Sequence, residues 1–334
     1  MQLSIIIVNY KTPQLVVDCL RTVFEQTKTI EFEVIVVDNA SGNHNRDMII
    51  TEFPSVKWIE MDYNAGFARA NNEGIRKASG NVILLLNSDT LNENNAIENC
   101  YLDFSKDECL ACGVQLLNPD RTPQISGNYF MTGGLNNLLS LTYIGKLIKG
   151  IGHLFNIKKP NISETNLRVE VDWINGAFLM VKKNAISQAG LLDEDFFLYA
   201  EEAEWCGRIR RYGKCCIYGR HHVIHLQGES AGSAFSTSEK GYKTLHDRKG
   251  LQIMLSNFVR LKKQFGTGWF FLQLLLYTAE VPVFFILRFF ENIIRLRNLF
   301  NGFRDGSGYA ANIFRLWKYV PHIVSGKPFF YKVL

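Results

Sequence analysis

Acidic side chains stand at places in this chain where a predicted strand ends. Residues 84–90 read LLLNSDT, an apolar run that closes on an amide, a hydroxyl and the carboxylate of Asp89. A carboxylate with such neighbours suits a hard divalent cation or a sugar hydroxyl. The same aspartate would also suit the start of a following helix as a capping residue, so its position alone leaves both interpretations open.

A second aspartate, Asp38, closes the apolar run FEVIVV at residues 32–37. An acid at the end of the second strand of a parallel sheet can bond a ribose hydroxyl or a base N–H. The alternative is that Asp38 caps a helix at the turn of Asn39, Ala40 and Ser41.

Three glutamates, Glu201, Glu202 and Glu204, open a predicted helix. Acids are favourable near the positive end of the helix dipole, which accounts for one or two of them. An aromatic run at residues 196–199 leads into all three, and apolar neighbours could give Glu202 the raised proton affinity that a general base needs. His225 precedes a Gly- and Ser-rich stretch and is a candidate ligand, although a single histidine more often serves packing or the surface.

Residues 169–182 (VEVDWINGAFLMVK) predict one strand with Gly176 in its middle. A glycine inside a strand indicates a bulge or a ligand that comes close to the backbone. The plain explanation for Trp173 is core packing. Residues 118–168 are rich in Gly, Asn, Thr and Ser, and they predict loops and short helices that form a substrate-facing insertion.

The first ninety residues predict the scaffold that positions these side chains. Apolar runs at residues 3–8, 32–37, 56–61 and 82–86 alternate with segments of helical periodicity. The order β-α-β-α-β-α-β is that of a parallel sheet with helices on both faces. Neither a G-x-G-x-x-G fingerprint nor a P-loop sequence occurs, which weakens a dehydrogenase or P-loop interpretation.

Length and cysteine content set broad limits. The 334 residues suffice for one large domain or two. Seven cysteines, an odd number in a long chain, favour free thiols in a reducing compartment. No N-terminal secretory signal is apparent, so we expect a cytoplasmic protein.

The net charge of +5 is unevenly distributed along the chain. From residue 257 onward there are eleven Lys and Arg residues and three acids, a net charge of +8, which leaves −3 for the first 256 residues. Such an asymmetry indicates a polyanionic surface as a partner of the C-terminal region.

The C-terminal region is also apolar. Residues 269–279 (WFFLQLLLYTA) and 281–287 carry no charge, but Glu280 and Pro282 interrupt them. A clean membrane span needs about 20 apolar residues, so we expect helices that lie on the cytoplasmic face of a membrane. The alternatives are a helical subdomain whose apolar face packs on the enzyme or on a second subunit, and a true span.

Five motifs follow one another along the chain: SIIIVNYKT at residues 4–12, VDNAS at 37–41, NAGFARANNEGI at 64–75, LLLNSDT at 84–90 and FFLYAEEAEWCGR at 196–208. With HLQGES at 225–230 behind them, they resemble the family 2 glycosyltransferases, and most closely the rhamnosyltransferase-like enzymes of bacterial surface polysaccharides. The resemblance covers about residues 3–230. It implies the nucleotide-sugar-binding GT-A fold, an α/β fold with a mostly parallel central sheet flanked by helices, in a catalytic domain at 1–240. Residues 241–334 remain as a helical, membrane-associating region.

The resemblance also implies roles for individual residues. On the donor side, Val8 and Tyr10 would line the base pocket, Asp38 would bond the base, and Asn72 would hold the diphosphate side. Asn87, Ser88 and Asp89 occupy the place of the family's acid-x-acid motif, where Asp89 would ligate Mg²⁺ or Mn²⁺. On the acceptor side, Trp173 and Gly176 would shape the site. Glu202 matches the catalytic base and His225 a further metal ligand.

Two positions depart from the family pattern. Asn87 replaces the first acid of the metal motif, so the contact toward the ribose is an amide. Glu201 and Glu202 replace a Glu-Asp pair, which leaves open which of the two glutamates is the base.

The expected function is therefore that of a metal-dependent, inverting glycosyltransferase. It would move a sugar from a UDP- or dTDP-linked donor to a hydroxyl of a growing, lipid-linked surface glycan. We expect it at the inner face of the bacterial cell membrane, without a nucleic-acid partner and with a homo-oligomer left open. The alternatives are a non-catalytic nucleotide-sugar- or glycan-binding protein on the same fold, and a nucleotidyltransferase.

Overall fold

A computed structural model describes residues 1–42, 45–129, 132–155, 161–162, 164–226 and 245–333. Tertiary contacts divide the chain into two compact units. The first comprises Met1–Tyr129, Asn161–Phe197 and Glu201–Lys240. The second comprises Phe130–Pro160, Leu198–Ala200 and Gly241–Leu334. The sequence-based boundary lay at residue 240, and the structure adds two earlier segments to the second unit.

The secondary structure of the described residues is as follows. The strands are β1 (Leu3–Asn9), β2 (Phe32–Asp38), β3 (Lys57–Glu60), β4 (Val82–Asn87), β5 (Thr90–Asn92), β6 (Ala111–Leu117), β7 (Gly127–Asn128), β8 (Asn161–Ile162), β9 (Arg168–Val171), β10 (Trp173–Ile174), β11 (Phe178–Lys182) and β12 (Cys215–His225). The helices are α1 (Pro13–Gln26), α2 (Asn45–Glu52), α3 (Gly66–Lys77), α4 (Ala96–Lys106), α5 (Ile144–Leu154), α6 (Lys183–Ala189), α7 (Glu201–Ile209), α8 (Arg248–Ile294) and α9 (Phe303–Ser325), with a 3-10 helix at Thr132–Ser140.

The first unit is built on a sheet whose order is β3-β2-β1-β4-β11-β6-β12-β5, with β9 paired to β12. The first four of these strands are parallel to one another, as the alternating pattern of the first ninety residues predicted. Ile5, Ile6 and Ile7 of β1 are completely buried. Strands covered by helices on both faces have such continuous apolar runs, because neither face meets water.

The prediction of one strand over residues 169–182 is wrong. The segment forms β9, β10 and β11, which pair with β12, β7 and β4 in turn. The main-chain N–H groups of Asp172 and Asn175 donate to Asn128 O and Ser126 O, at 2.9 Å each. These bonds turn the chain out of the main sheet and back, so Gly176 lies in a turn and not in a strand bulge.

The expectation of free thiols throughout is also wrong for one pair, because Cys109 and Cys216 form a disulfide. Strands β6 and β12 are parallel neighbours, with Cys112 opposite Cys216. This pairing brings the Cα atoms of Cys109 and Cys216 to 6.4 Å, a separation typical of disulfides. The sequence gives no direct sign of it, since 107 residues separate the two cysteines.

The second unit is helical, and its longest helix, α8, exposes a row of apolar side chains. Gly266, with φ +85°, interrupts α8. After that point the buried positions of α8 include the polar residues Gln273, Tyr277 and Glu280 beside the apolar Phe270, Leu274 and Phe284. The large side chains exposed after Gly266 are apolar: Phe271, Leu272, Leu275, Ile286, Leu287, Phe290, Ile293 and Ile294. A helix face that meets water usually carries polar and charged side chains instead.

Candidate active site

The predicted donor-side residues gather at one edge of the sheet. Strand register places Asn9 beside Asp38, and Val8 between Val37 and Asn87. These residues lie at the carboxyl ends of three parallel strands, β1, β2 and β4. This edge is where ligands bind in open α/β sheets. Tyr10 follows β1 directly and is half-buried, and its ring lies 5.3 Å from the Lys11 ammonium group.

Asp38 is 2% exposed and is held at both carboxylate oxygens. Asn9 Nδ2 donates to Oδ1 at 2.6 Å, and Ser41 N donates to Oδ2 at 2.9 Å. The Ser41 contact is the turn-capping bond that the sequence allowed as the alternative. Because each carboxylate oxygen has two acceptor sites, capping is compatible with a further bond to a base, and the contact with a base stays a prediction.

Asp89 lies in the turn between β4 and β5 and is 1% exposed. The antiparallel pairing of β12 with β5 places His225 opposite Thr90, and Leu226 N donates to Asp89 O at 2.9 Å. As a result, His225 Nε2 lies 3.4 Å from Asp89 Oδ1. The structure therefore brings together the two residues that were predicted as metal ligands. Of the motif that follows His225, residues 227–230 lie outside the described residues.

The chemistry of this pair fits a divalent cation. His225 Nδ1 lies 2.9 Å from Gln124 Oε1, an atom that only accepts hydrogen bonds, so Nδ1 carries the proton. In the neutral ring Nε2 then has a lone pair, and it is this nitrogen that faces Asp89. A buried carboxylate oxygen and a buried imidazole nitrogen at this spacing are suitable ligands for one ion. Asn87 Nδ2 lies 3.5 Å from the same nitrogen.

A second group of possible ligand atoms lies near the other end of β12. Donor atoms of Asp107, Cys109 and Cys216 lie within 4.8 Å of one another. The two sulfurs are joined in the disulfide, and Arg168 donates to both oxygens of Asp107 at 2.5 and 2.9 Å. These atoms are engaged with one another and with Arg168, so the cluster is explained without a metal.

The two glutamates at the start of α7 have different environments. Glu201 is 3% exposed; burial, and secondly the negative charge of Glu202, raise its pKa well above the ordinary value. Glu202 is half-buried. The preceding residues Tyr199 and Ala200 both adopt left-handed backbone angles, φ +73° and +69°, which non-glycine residues hold at a cost and mostly at functional sites. Burial thus favours the protonated form of Glu201, and Glu202 is the more accessible carboxylate of the two.

Gly176 links Glu202 to the Asp89 turn. A Cβ atom at Gly176 would lie 3.6 Å from Glu202 Cγ, in ordinary contact. The next residue, Ala177, accepts at its carbonyl oxygen from Asn87 N (3.1 Å) and from Thr90 Oγ1 (3.4 Å). Two consecutive residues therefore connect the base candidate to the turn that carries Ser88 and Asp89, both of them buried.

Trp173 lies on the small second sheet of the first unit. It is half-buried and pairs with Asn128, while Ile174 pairs with Gly127. Its position three residues before Gly176 places it on the same β10–β11 segment. Its contact with an acceptor stays a prediction.

Asn72 is buried in α3 and contacts the segment that leads to α7. Its carboxamide donates to Leu192 O (2.9 Å) and Glu194 Oε1 (3.1 Å), and it accepts from Leu192 N (3.1 Å). Both ends of the amide therefore hold that segment in place. The diphosphate contact assigned to Asn72 by resemblance is untested by this arrangement.

Gly66 joins two of the sequence motifs by close packing. A Cβ atom at Gly66 would lie 2.2 Å from Phe197 O, and its φ is +77°. Phe67 N donates to the same oxygen at 2.8 Å. Only glycine fits here, and the contact fixes the aromatic run that precedes Glu201.

Sequence reasoning missed three side chains that orient the site: Asn9 and Ser41, which hold Asp38, and Gln124, which holds His225. Asn9 and Ser41 stand within quoted motifs, where their polarity at a strand end was the available signal. Gln124 stands in the segment assigned to an insertion, and its partner is 101 residues away.

Comparison with known proteins gives the family context. The family model for "Glycosyl transferase family 2" matches residues 4–162. The low-salt glycan biosynthesis hexosyltransferase Agl10 of Haloferax volcanii is 28% identical over 228 residues, which are 66% of this chain and 66% of that protein. The poly-beta-1,6-N-acetyl-D-glucosamine synthase of Staphylococcus epidermidis is 25% identical over 206 residues, 61% of this chain. The chain spans only 45% of that second relative.

Two solved structures share the fold. The mannosyltransferase PcManGT from Pyrobaculum calidifontis, in complex with GDP-Man and Mn²⁺, aligns with a TM-score of 0.50 and 13% identity over 95% of this chain and 87% of its own. GalNAc-T7 with UDP, GalNAc and Mn²⁺ aligns with a TM-score of 0.50 and 16% identity, over 67% of this chain and 43% of its own. The expected GT-A fold is confirmed.

Glu201→Gln should raise the free energy of unfolding at pH 8 by about 1 kcal/mol or more. Burial raises the pKa of folded Glu201, whereas unfolded Glu201 loses its proton above a pKa of about 4.3. The unfolded state then binds fewer protons, so the wild type loses stability as pH rises above that value. Glutamine carries no such penalty, and its advantage should shrink toward pH 4.5.

Urea unfolding with EDTA at pH 4.5 and pH 8 measures this difference. Glu204→Gln is the matched control, because Glu204 forms an ion pair with Arg208 at 2.7 Å and its neutralisation should destabilise the protein. If Glu201→Gln also destabilises the protein at pH 8, the account of a protonated Glu201 is wrong.

Proposed function

Because the chain belongs to glycosyltransferase family 2, we propose that it is a metal-dependent, inverting glycosyltransferase that acts on a nucleoside-diphosphate sugar. The observation that carries this proposal is the buried pair of Asp89 and His225 at the sheet edge, with Glu202 connected to it through Gly176 and Ala177. This arrangement supplies a cation site and a base in one region of the first unit.

The donor would lie across the carboxyl ends of β1, β2 and β4. Val8 and Tyr10 would flank the base, and Asp38, already oriented by Asn9, would accept from a base N–H. The nucleotides bound to the two structural neighbours, UDP in one and the sugar nucleotide GDP-Man in the other, support a nucleotide-linked donor. For this chain we propose a UDP- or dTDP-linked sugar.

Asp89 and His225 would hold Mg²⁺ or Mn²⁺, and Asn72 would support the diphosphate side. When bound, the cation would neutralise the negative charge that develops on the leaving diphosphate. The Mn²⁺ ions of both neighbours support a divalent cation in the proposed reaction. Asn87, in place of an acid, contributes an amide toward the ribose and lowers the negative charge of the site by one. Ser88 lies between Asn87 and Asp89 in the chain.

Glu202 would take the proton of the acceptor hydroxyl as the acceptor oxygen bonds to the anomeric carbon. The bond from that carbon to the diphosphate oxygen breaks on the opposite face, so the configuration inverts and the nucleoside diphosphate leaves. The raised pKa of Glu201 favours its neutral form, which would add no second negative charge beside the base. Gly176 leaves room for the acceptor at Glu202, and Trp173 offers an apolar surface for a sugar ring.

The acceptor would be a hydroxyl of a growing surface glycan that is linked to a lipid. Two relatives support a glycan acceptor by their names: one belongs to glycan biosynthesis, and the other is a polysaccharide synthase. The apolar second unit supports the lipid link, since an enzyme held at a membrane meets a lipid-linked acceptor there.

We further propose that the second unit lies on the cytoplasmic face of a membrane. Among the described helices, α8 has an 18-residue window with a mean hydropathy of 1.9, of which 33% is buried. Leu275 is 60% exposed, and it belongs to an exposed row that is entirely apolar. The polar residues on the inner side are bound within the unit: Gln273 to Asn137, and Glu280 to the main-chain N–H groups of Tyr143 and Ile144.

These inner contacts favour a helix lying on the surface over one that spans the bilayer. A spanning α8 would carry its bonded partners α5 and the 3-10 helix into the hydrocarbon. Exposed cations on α5 and α9 would have to follow: Lys146, Lys149, Arg304, Arg315 and Lys318. Each such charge is expensive at the bilayer centre, whereas at an anionic surface it is attracted by about 1 kcal/mol.

Glu202→Gln should reduce release of nucleoside diphosphate from UDP- and dTDP-sugars by about 100- to 10,000-fold, because the base is lost. Titration calorimetry with UDP or dTDP and Mn²⁺ should still give a dissociation constant within about threefold of wild type, since binding does not need the base. Asp89→Ala should show the opposite pattern and lose Mn²⁺-dependent nucleotide binding. A Glu202→Gln variant that keeps most of its turnover would refute the base assignment.

The double variant Leu275→Glu, Phe290→Glu should weaken sedimentation with phosphatidylglycerol vesicles by about tenfold or more, because two apolar contacts are lost. High salt should weaken wild-type binding without abolishing it. Thr267→Glu, an exposed position on the same helix, controls for the added charge. If the double variant instead dissociates a dimer and leaves vesicle binding unchanged, a second copy of the chain covers this face and the membrane proposal fails.

A further inference from the structure

Gln124 is a buried side chain between β6 and β7 that contacts the end of β6 and His225 at the end of β12. Its Nε2 donates to His225 O at 2.6 Å and to Asn118 Oδ1 at 2.8 Å. Its Oε1 lies 2.9 Å from His225 Nδ1. One carboxamide therefore holds both the main chain and the ring of the same histidine.

The orientation of this carboxamide follows from its partners. The Gln124 atom near His225 O and Asn118 Oδ1 must be the NH₂ group, because both of these oxygens accept hydrogen bonds. The carbonyl oxygen of Gln124 in that place would have no donor to accept from. The atom that faces His225 Nδ1 is then the carbonyl oxygen, which only accepts. His225 must donate from Nδ1, and its Nε2 is left without a proton in the neutral ring.

We propose that Gln124 is a positioning residue that fixes His225 in the Nδ1–H tautomer, so that Nε2 offers its lone pair to the cation that Asp89 also binds. Without Gln124 the ring is free to take the Nε2–H tautomer. That proton would point at Asp89 Oδ1, which lies 3.4 Å from Nε2, and a hydrogen bond between the two ligands would close the site. The part of this inference that concerns the cation rests on the proposed function.

Gln115 provides a matched control in the same part of the chain. It is also buried, and its Nε2 donates to the main-chain oxygens of Leu116 (2.9 Å) and Gln124 (3.1 Å). Its Oε1 accepts from Thr165 N at 3.0 Å. Replacing Gln115 removes main-chain support from the loop, whereas replacing Gln124 removes the partner of the imidazole.

The tautomer is measured without metal by long-range ¹H–¹⁵N NMR of ¹⁵N-histidine-labelled protein at pH 8, with His225→Ala to assign the signal. We expect the Nδ1–H pattern in the wild type and in Gln115→Met. In Gln124→Met the signal should move toward the Nε2–H pattern. A wild-type Nε2–H pattern, or an unchanged pattern in Gln124→Met, would overturn the inference.

The consequence is measured by electron paramagnetic resonance of Mn²⁺ titrated into the full chain with UDP. Gln124→Met should weaken Mn²⁺ binding by about 10- to 100-fold, the usual loss for a residue that orients a ligand. In a His225→Ala background, Gln124→Met should have no further effect. A further loss of the same size there would show that Gln124 only supports the fold, and would overturn the inference.

Failure of the proposed function would look different. If the wild type shows the Nδ1–H tautomer and Gln124→Met loses it, Gln124 positions the ring. If that same wild type binds no Mn²⁺ with UDP, the cation assignment to Asp89 and His225 is what fails.

Discussion

A carboxylate and an imidazole buried 3.4 Å apart set the conditions for the rest of the first unit. Taking the Asp89 carboxylate out of water is expensive unless opposite charge or hydrogen bonds compensate it. The pairing of β12 with β5 places His225 beside this carboxylate. Because Nδ1 faces Gln124 Oε1, Nε2 is the ring nitrogen that faces Asp89, and a cation bound by both side chains would supply the opposite charge.

The other acids of the site, Asp38, Glu201 and Glu202, have different environments, and we assign them different roles. Asp38 is oriented by Asn9 and Ser41. Burial raises the pKa of Glu201, whereas its neighbour Glu202 is half-buried beside Gly176. Like charges close together raise one another's pKa, and the charge of Glu202 is the second cause of the raised pKa of Glu201.

The sequence predicted well those features that depend on local pattern. The four parallel strands of the first ninety residues follow from buried apolar runs, and Asp38 and Asp89 follow from their positions at strand ends. Features that depend on contacts between distant residues escaped prediction. The chain from residue 169 to 182 reads as one strand, but bonds to Ser126 and Asn128 divide it. The Cys109–Cys216 disulfide and the hold of Gln124 on His225 likewise depend on partners about a hundred residues away.

The central claim is that Asp89 and His225 bind one divalent cation, and anomalous X-ray scattering tests it most directly. Crystals of the full chain grown with UDP and Mn²⁺ would be measured above and below the manganese absorption edge. The account predicts an anomalous peak between Asp89 Oδ1 and His225 Nε2, adjoining the nucleotide diphosphate. A peak at Asp107 near the disulfide, or bound nucleotide without a peak beside Asp89, would contradict it.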